Sequence, residues 1–211
     1  MARNNFSPGA LTAPLPPTLV SCGTLENPNV LTIAWTGILN TKPPRTYISV
    51  RPSRYSYDII KKSGEFVINL PPSSIVKELD WCGIRTGRCV DKIKECKLEI
   101  IASHSVSAPT VANCPVSLEC KVIDVMEMES HHIFIADIVN VSADTSIIDE
   151  NGRLCFEKAD LVAYLHGEYF KLGEKLGSFG FSQKQKKSTI AKHAAKKSPS
   201  KSQAAAKKAL K

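Results

Sequence analysis

Residues 51–56 read Arg-Pro-Ser-Arg-Tyr-Ser, two forked cations and two serine hydroxyls within six positions. A strand reading over Thr46 to Val50 precedes them, and a helix over roughly 54–62 follows. Tyr55, Ile59 and Lys62 share one face of that helix, Ser53 is its expected N-cap, and Gly64 is its stop. A helix N-terminus presents unsatisfied N–H groups and partial positive charge. Hydroxyls from Ser53 and Ser56 and guanidiniums from Arg51 and Arg54 make the combination suitable for a phosphate. Taken alone the motif is modest: a serine at a helix start is usually only a cap, and most arginines are surface residues.

The remaining elements must hold this junction in place. Thr18 to Thr24, Val30 to Trp35, Glu65 to Leu70, Leu98 to Ala102, Val116 to Met126 and Ile133 to Val141 read as strands. The last two are long enough to pair antiparallel around the polar stretch 127–132. Glu26 to Asn29 and Asp149 to Gly152 are turns, and Pro43-Pro44 breaks the chain. Ser73 or Ser74 caps a second helix from Ile75 to about Trp81, and Cys82 to Val90 reads as a loop. Leu161 to Tyr164 is a short apolar run, and 166–182, with four glycines, reads as a packed coil or broken helix over the core. Many short strands with few helices predict a mainly β fold, a β-barrel with α decorations. The lack of a βαβ alternation and of G-x-G-x-x-G argues against a Rossmann domain.

The chain has 211 residues, room for one sizeable domain and an extension. Its formal charge of +8 is misleading, because ten lysines and no acid lie from Gln183 onward. The 18 basic and 20 acidic residues of 1–182 leave that part near −2. The expected organisation is an irregular lead-in over 1–17, a domain over 18–182, and a disordered Lys/Ala/Ser-rich tail over 183–211. The tail's composition resembles that of linker-histone tails and would give weak nucleic-acid binding as an accessory property. No run approaches the ~18 apolar residues of a membrane helix, and residues 1–17 lack a signal-peptide apolar region. Seven cysteines without a C-x-x-C pair give no zinc or thioredoxin reading; the expectation is reduced, structural thiols in a cytoplasm.

Five segments in order resemble the flavoredoxin-like flavin reductases, FMN-binding split-barrel proteins. They are Asn29–Gly37, Tyr47–Ser56, Gly64–Pro71, Cys82–Lys92, and His166–Phe170 with Phe179–Ser182. The resemblance spans about 15–182. It implies a homodimer with non-covalent FMN near the subunit interface and the FMN phosphate held at Arg51, Ser53, Arg54 and Ser56. Asn29, Trp35, Ser56, Lys92, His131 and Tyr164 would surround the cofactor, with backbone N–H groups of Ala34 to Thr36 at the ring's polar edge. Ser56 stands where the family pattern suggests Thr, and Tyr164 where Phe occurs. From spacing alone Lys92 is equally a surface lysine and Trp35 a core aromatic. Adjacent strand residues point oppositely, so at most one of His131 and His132 faces the cofactor. His131 is preferred, His166 is a second candidate, and His104 and His193 read as solvent residues.

The resemblance further implies hydride transfer from NAD(P)H to flavin N5 and on to an unknown acceptor. No catalytic protein residue is then required, in keeping with the absence of a recognisable Ser-His-Asp or paired-carboxylate arrangement. The alternatives are an FMN-bound electron carrier reduced by a partner protein, and nucleic-acid binding through the tail.

Overall fold

Seven strands rich in β-branched and aromatic residues, lying between Thr18 and Ala143, build one antiparallel sheet. Its strands are β1 (Thr18–Gly23), β2 (Pro28–Ile33), β3 (Thr36–Thr41), β4 (Pro44–Val50), β5 (Glu65–Leu70), β8 (Val116–Glu127) and β9 (His132–Ala143). They lie in the order β2-β1-β5-β8-β9-β4-β3. The computed structural model describes residues 1–183; the tail expected over 183–211 lies outside them from residue 184 on. The chain divides into two units, one ending at Leu172 and one beginning at Gly173.

Two register shifts, at Glu119/Cys120 and Val122/Asp124, interrupt the β8–β9 ladder. Such bulges bend and twist a sheet. The sheet here curls round one core, in which Val20, Ile33, Ile48, Phe66, Cys120 and Phe134 meet Tyr57 and Ile60 of helix α1 (Tyr55–Ser63). A second core on the other side of β1 and β2 sets Leu19 and Val30 against Leu79 and Cys82 of α2 (Val76–Ile84). Packing on both faces leaves nearly every residue of β1 and β2 buried, the Thr18, Ser21 and Asn29 side chains included. The expected mainly β barrel with helical decorations is the architecture present.

Several local expectations need correction. α1 starts one residue later than read, so its N-cap is Arg54 and Ser53 makes no cap bond. Ser73 does not cap the second helix: it lies in a single 3-10 turn, Ser73–Ile75, and its hydroxyl bonds the Asp160 carboxylate. A charged acceptor outcompetes a local amide there. Residues 82–84 belong to α2, not to a loop. The glycine that argued for a loop, Gly83, serves close packing: a Cβ there would lie 3.2 Å from Thr32 Cβ. Edge strand β3 went unread because most of its residues are exposed, including Ile38 and Leu39. The coil expected over 166–182 is a hairpin up to Lys171, formed by β10 (Val162–Leu165) and β11 (Glu168–Lys171). Residues 173–183 are solvent-exposed.

Short pieces complete the chain: α3 (Lys92–Glu95), β6 (Ile100–Ile101) and β7 (Thr110–Val111). The polar loop before β7 is tied to β8 by Glu119, which is 1% exposed. Its carboxylate accepts from the His104 and Ser105 amides and from Asn140 Nδ2. Burial raises this carboxyl, but those three bonds outweigh it and hold it below the usual range. A depressed folded pKa gives stability that is complete above the unfolded value of 4.5 and lost as pH falls through the folded one. Glu119→Gln turns one acceptor into a donor facing a donor. It is expected to lower stability by about 2 kcal/mol in urea titration at pH 7, with less acid dependence than the parent.

Candidate functional site

The β4–α1 junction opens onto a small cavity of about 150 Å³. Ala34, Trp35, Ser49, Arg51, Arg54 and His131 are among its lining residues. No side chain caps the first turn of α1, leaving its leading amides without that partner. Arg54 Nη1 donates to Gly83 O at 3.0 Å, which ties the junction to α2. Arg54 is shared with a neighbouring cavity of about 250 Å³ that also contains Ala34 and Tyr164. The Tyr164 ring lies 5.2 Å from that of Tyr169 across the β10–β11 hairpin.

Trp35 is 41% exposed in the two-residue link between β2 and β3, just past the strand expected to reach it, and its ring lies 4.5 Å from His131, tilted by 36°. The next residue points the other way: His132 Nδ1 and the Tyr57 hydroxyl are 2.7 Å apart. Desolvation, then the charges of Arg51 and Arg54, push the His131 imidazole below its usual 6.5. It is therefore neutral at pH 7, and folding stability falls as pH drops below the unfolded value. An NMR titration of His131 in the flavin-free protein is expected to give a midpoint below 6.5. A midpoint above that value would show that burial and the two guanidiniums do not govern it.

Asn29 and Lys92 line a different cavity, of about 720 Å³, beside Tyr55, Gly87 and Arg88. Lys92 is 5% exposed, and its Nζ donates to Cys82 O at 2.7 Å. It forms no ion pair among the described residues. Desolvation lowers its pKa below 10.5, with the Arg54 charge acting the same way. Arg54 thus acts electrostatically on both Lys92 and His131, linking the two cavities. A buried ammonium without a carboxylate is costly unless an anion arrives to pair with it.

Some candidates do not face any of these cavities. Ser56 is 2% exposed and accepts from Asn29 Nδ2, so it orients Asn29 from behind. Ser53 is exposed, and its carbonyl accepts from Arg88 Nη1 at 3.0 Å. The Thr36 hydroxyl donates to Tyr47 O at 2.6 Å, within the β3–β4 hairpin. His166 lies at the exposed β10–β11 turn, its Nε2 3.1 Å from Thr12 O.

Gly87, Arg88 and Tyr55 line the same cavity as Asn29 and Lys92 and were not among the site candidates read from the sequence. Arg88 sits over the Tyr55 ring at 5.5 Å and pairs with Asp58 at 3.7 Å. A Cβ on Gly87 would fall 2.3 Å from Asn29 Oδ1 and 2.7 Å from Tyr55 Cδ1. Only glycine lets the 85–90 loop close on Asn29, and a glycine between Arg85-Thr86 and Arg88 was the signal available.

The donor set suits a flavin mononucleotide. Two guanidiniums, uncapped helix amides and a buried ammonium match a phosphate and an electron-rich ring edge, and the exposed indole offers a face for a planar ring. Among the described residues there is no membrane-length apolar helix and no cluster of metal-ligating side chains.

Residues 11–173 match the family described as flavin reductase like domain. The chain is similar to flavoredoxin of Desulfovibrio vulgaris (Miyazaki F): 30% identity, TM-score 0.80, covering 86% of this chain and 100% of that one. Flavoredoxin from Methanosarcina acetivorans shares the fold, at 24% identity and TM-score 0.79 over 87% of this chain and 99% of that one. A protein of Archaeoglobus fulgidus is 31% identical over 129 residues, 61% of this chain and 72% of its own. With its split-barrel architecture and the extent of these matches, the chain belongs to the flavin reductase like domain family.

Proposed function

We propose that this protein binds FMN non-covalently and acts as a flavin oxidoreductase that takes electrons from NAD(P)H and passes them to a separate acceptor. The observation that carries the reading is the buried, acid-free Lys92, set electrostatically against Arg54 and the uncapped start of α1. Arg51, Arg54 and the α1 amides would hold the phosphate; Ser53 and Thr36 would contribute through backbone N–H groups. Asn29, positioned by Ser56, and Lys92 would donate to the cofactor's polar edge. Trp35, steadied by His131, and Tyr164 would flank the ring, near Ala34. When bound, FMN supplies the two-electron chemistry at its N5. The protein's part is binding, orientation and positive charge, and no catalytic protein residue is assigned.

Anaerobic visible spectroscopy tests this. The purified protein, or protein given FMN, is expected to show a two-banded flavin spectrum that NADH or NADPH bleaches. A colourless protein that fails to bind added FMN would refute the cofactor assignment. Bound FMN that neither nucleotide bleaches favours the second reading, an electron carrier reduced by a partner protein, to which the similarity to a flavoredoxin lends support.

Exposed Ile38, Leu39, Ile123, Val139 and Val141 on the sheet suit a homodimer, checked by sedimentation. A cytoplasmic location is in keeping with seven free cysteines. Nucleic-acid binding by the tail over 183–211 remains a proposal from its composition, tested by salt-dependent DNA retention with and without that segment.

A further inference from the structure

Two cysteines outside the proposed cofactor cleft are in contact. Cys82, in the last turn of α2, and Cys96, just after α3, hold their sulfurs 3.7 Å apart. Both thiols are free. Cys82 is buried in the α2 core, while Cys96 is half-buried and lines a cavity of about 220 Å³ with Lys77, Glu78, Trp81 and Glu95. A small oxidant therefore has a route to Cys96 but not directly to Cys82. Cys22, Cys114, Cys120 and Cys155 are buried, and Cys89 is exposed.

We propose that Cys82 and Cys96 are a redox modification site that closes to an intramolecular disulfide when the oxidant is a small-molecule disulfide. The Cys96 thiolate attacks one sulfur of the reagent. The reagent's S–S bond breaks, a mixed disulfide forms on Cys96, and one thiolate leaves and takes up a proton. Cys82 then gives up its proton and attacks the Cys96 sulfur, expelling the second thiol. Two electrons pass from the protein thiols to the reagent, and both protons end on the two released thiols.

A disulfide holds its sulfurs at about 2.05 Å, so the pair must close by roughly 1.7 Å. Burial pushes the Cys82 thiol up to about 12 and raises Cys96 as well. Thiolates are therefore scarce at neutral pH, and closure is slow there and faster in alkali. The bridge has a direct neighbour in the cofactor cleft, because the Cys82 carbonyl is the acceptor for Lys92 Nζ. Moving Cys82 shifts a hydrogen-bond acceptor that positions the buried ammonium.

The full chain is to be incubated with oxidised glutathione at a pH of about 8.5, near the free thiol pKa, then alkylated under denaturing conditions and mapped by peptide mass. The expected product is a peptide pair joined through Cys82 and Cys96, reversed by a reductant and formed faster as pH rises. Glutathione on exposed Cys89 reports that the reagent was active. A lasting glutathione adduct on Cys96 with Cys82 still alkylatable, or both thiols untouched while Cys89 reacts, overturns the proposal. A second arm rests on the flavin reading: the disulfide form is expected to bind FMN about fivefold more weakly, at the low end of usual site–site couplings. The linked peptide does not depend on flavin. Unchanged FMN affinity with the linked peptide present would therefore overturn the coupling through Lys92 and not the disulfide.

Discussion

Replacing Lys92 with methionine is expected to raise the FMN dissociation constant by roughly 10- to 100-fold, the worth of a hydrogen bond to a charged group. Flavin fluorescence quenching reads the change. The side chain is 5% exposed, its amine has no acidic partner among the described residues, and its one hydrogen bond goes to a helix carbonyl. Burial depresses its pKa. The fold therefore disfavours the ammonium, and stability without ligand rises as pH climbs through the folded pKa toward the unfolded 10.5. Methionine fills similar volume without the charge and should abolish that rise. The rival role is structural: an ammonium at the C-terminal end of α2 satisfies an orphan carbonyl and complements the helix dipole. Under that reading the variant melts earlier with its FMN affinity intact. The two roles separate cleanly because one acts on a ligand and the other on a helix end.

Asn69→Ala is expected to be the most damaging single change to the fold. This side chain is fully buried in β5. Its Nδ2 donates to Leu19 O and Ser21 Oγ at 2.9 Å and to Val67 O at 3.3 Å. Its Oδ1 accepts from Val111 N at 3.0 Å and from the Ser117 hydroxyl at 2.8 Å. One amide thus joins β1, β5, β7 and β8. Truncation strands several buried polar groups and leaves a void, for an expected loss of about 3–4 kcal/mol. For a domain of this size the melting temperature should fall by roughly 10 °C. A loss below about 1 kcal/mol would mean that water replaces the amide and that it is no hub.

Neither effect could be read from its residue in sequence. Asn69 looks like a polar interruption in the strand Glu65–Leu70, and its partners are up to 50 positions away. Lys92 stands in Asp91-Lys92-Ile93-Lys94, where spacing alone is equally that of a surface lysine and only the family resemblance made it a cofactor candidate. What could be read was local. β-branched and aromatic content marked β5, β8 and β9, and the polar stretch 127–132 marked the long hairpin between the last two. The order of five segments, through their resemblance to a flavin reductase family, gave the fold. The rule that adjacent strand residues face opposite ways separated His131 from His132, and the tilted Trp35 contact and the Tyr57 bond give each its side.

By itself, the sequence determined the strand-to-helix junction at Arg51–Ser56, the mainly β class and the charge division between body and tail. These follow from turn chemistry, side-chain alternation and net charge, which act over a few residues. Only the tertiary structure decided that Arg54 and not Ser53 is the N-cap of α1, that Ser56 turns inward to orient Asn29, that Lys92 is buried, and that Cys82 meets Cys96. Those outcomes depend on which distant strand or helix excludes water from each side chain, and nothing local to these residues encodes that.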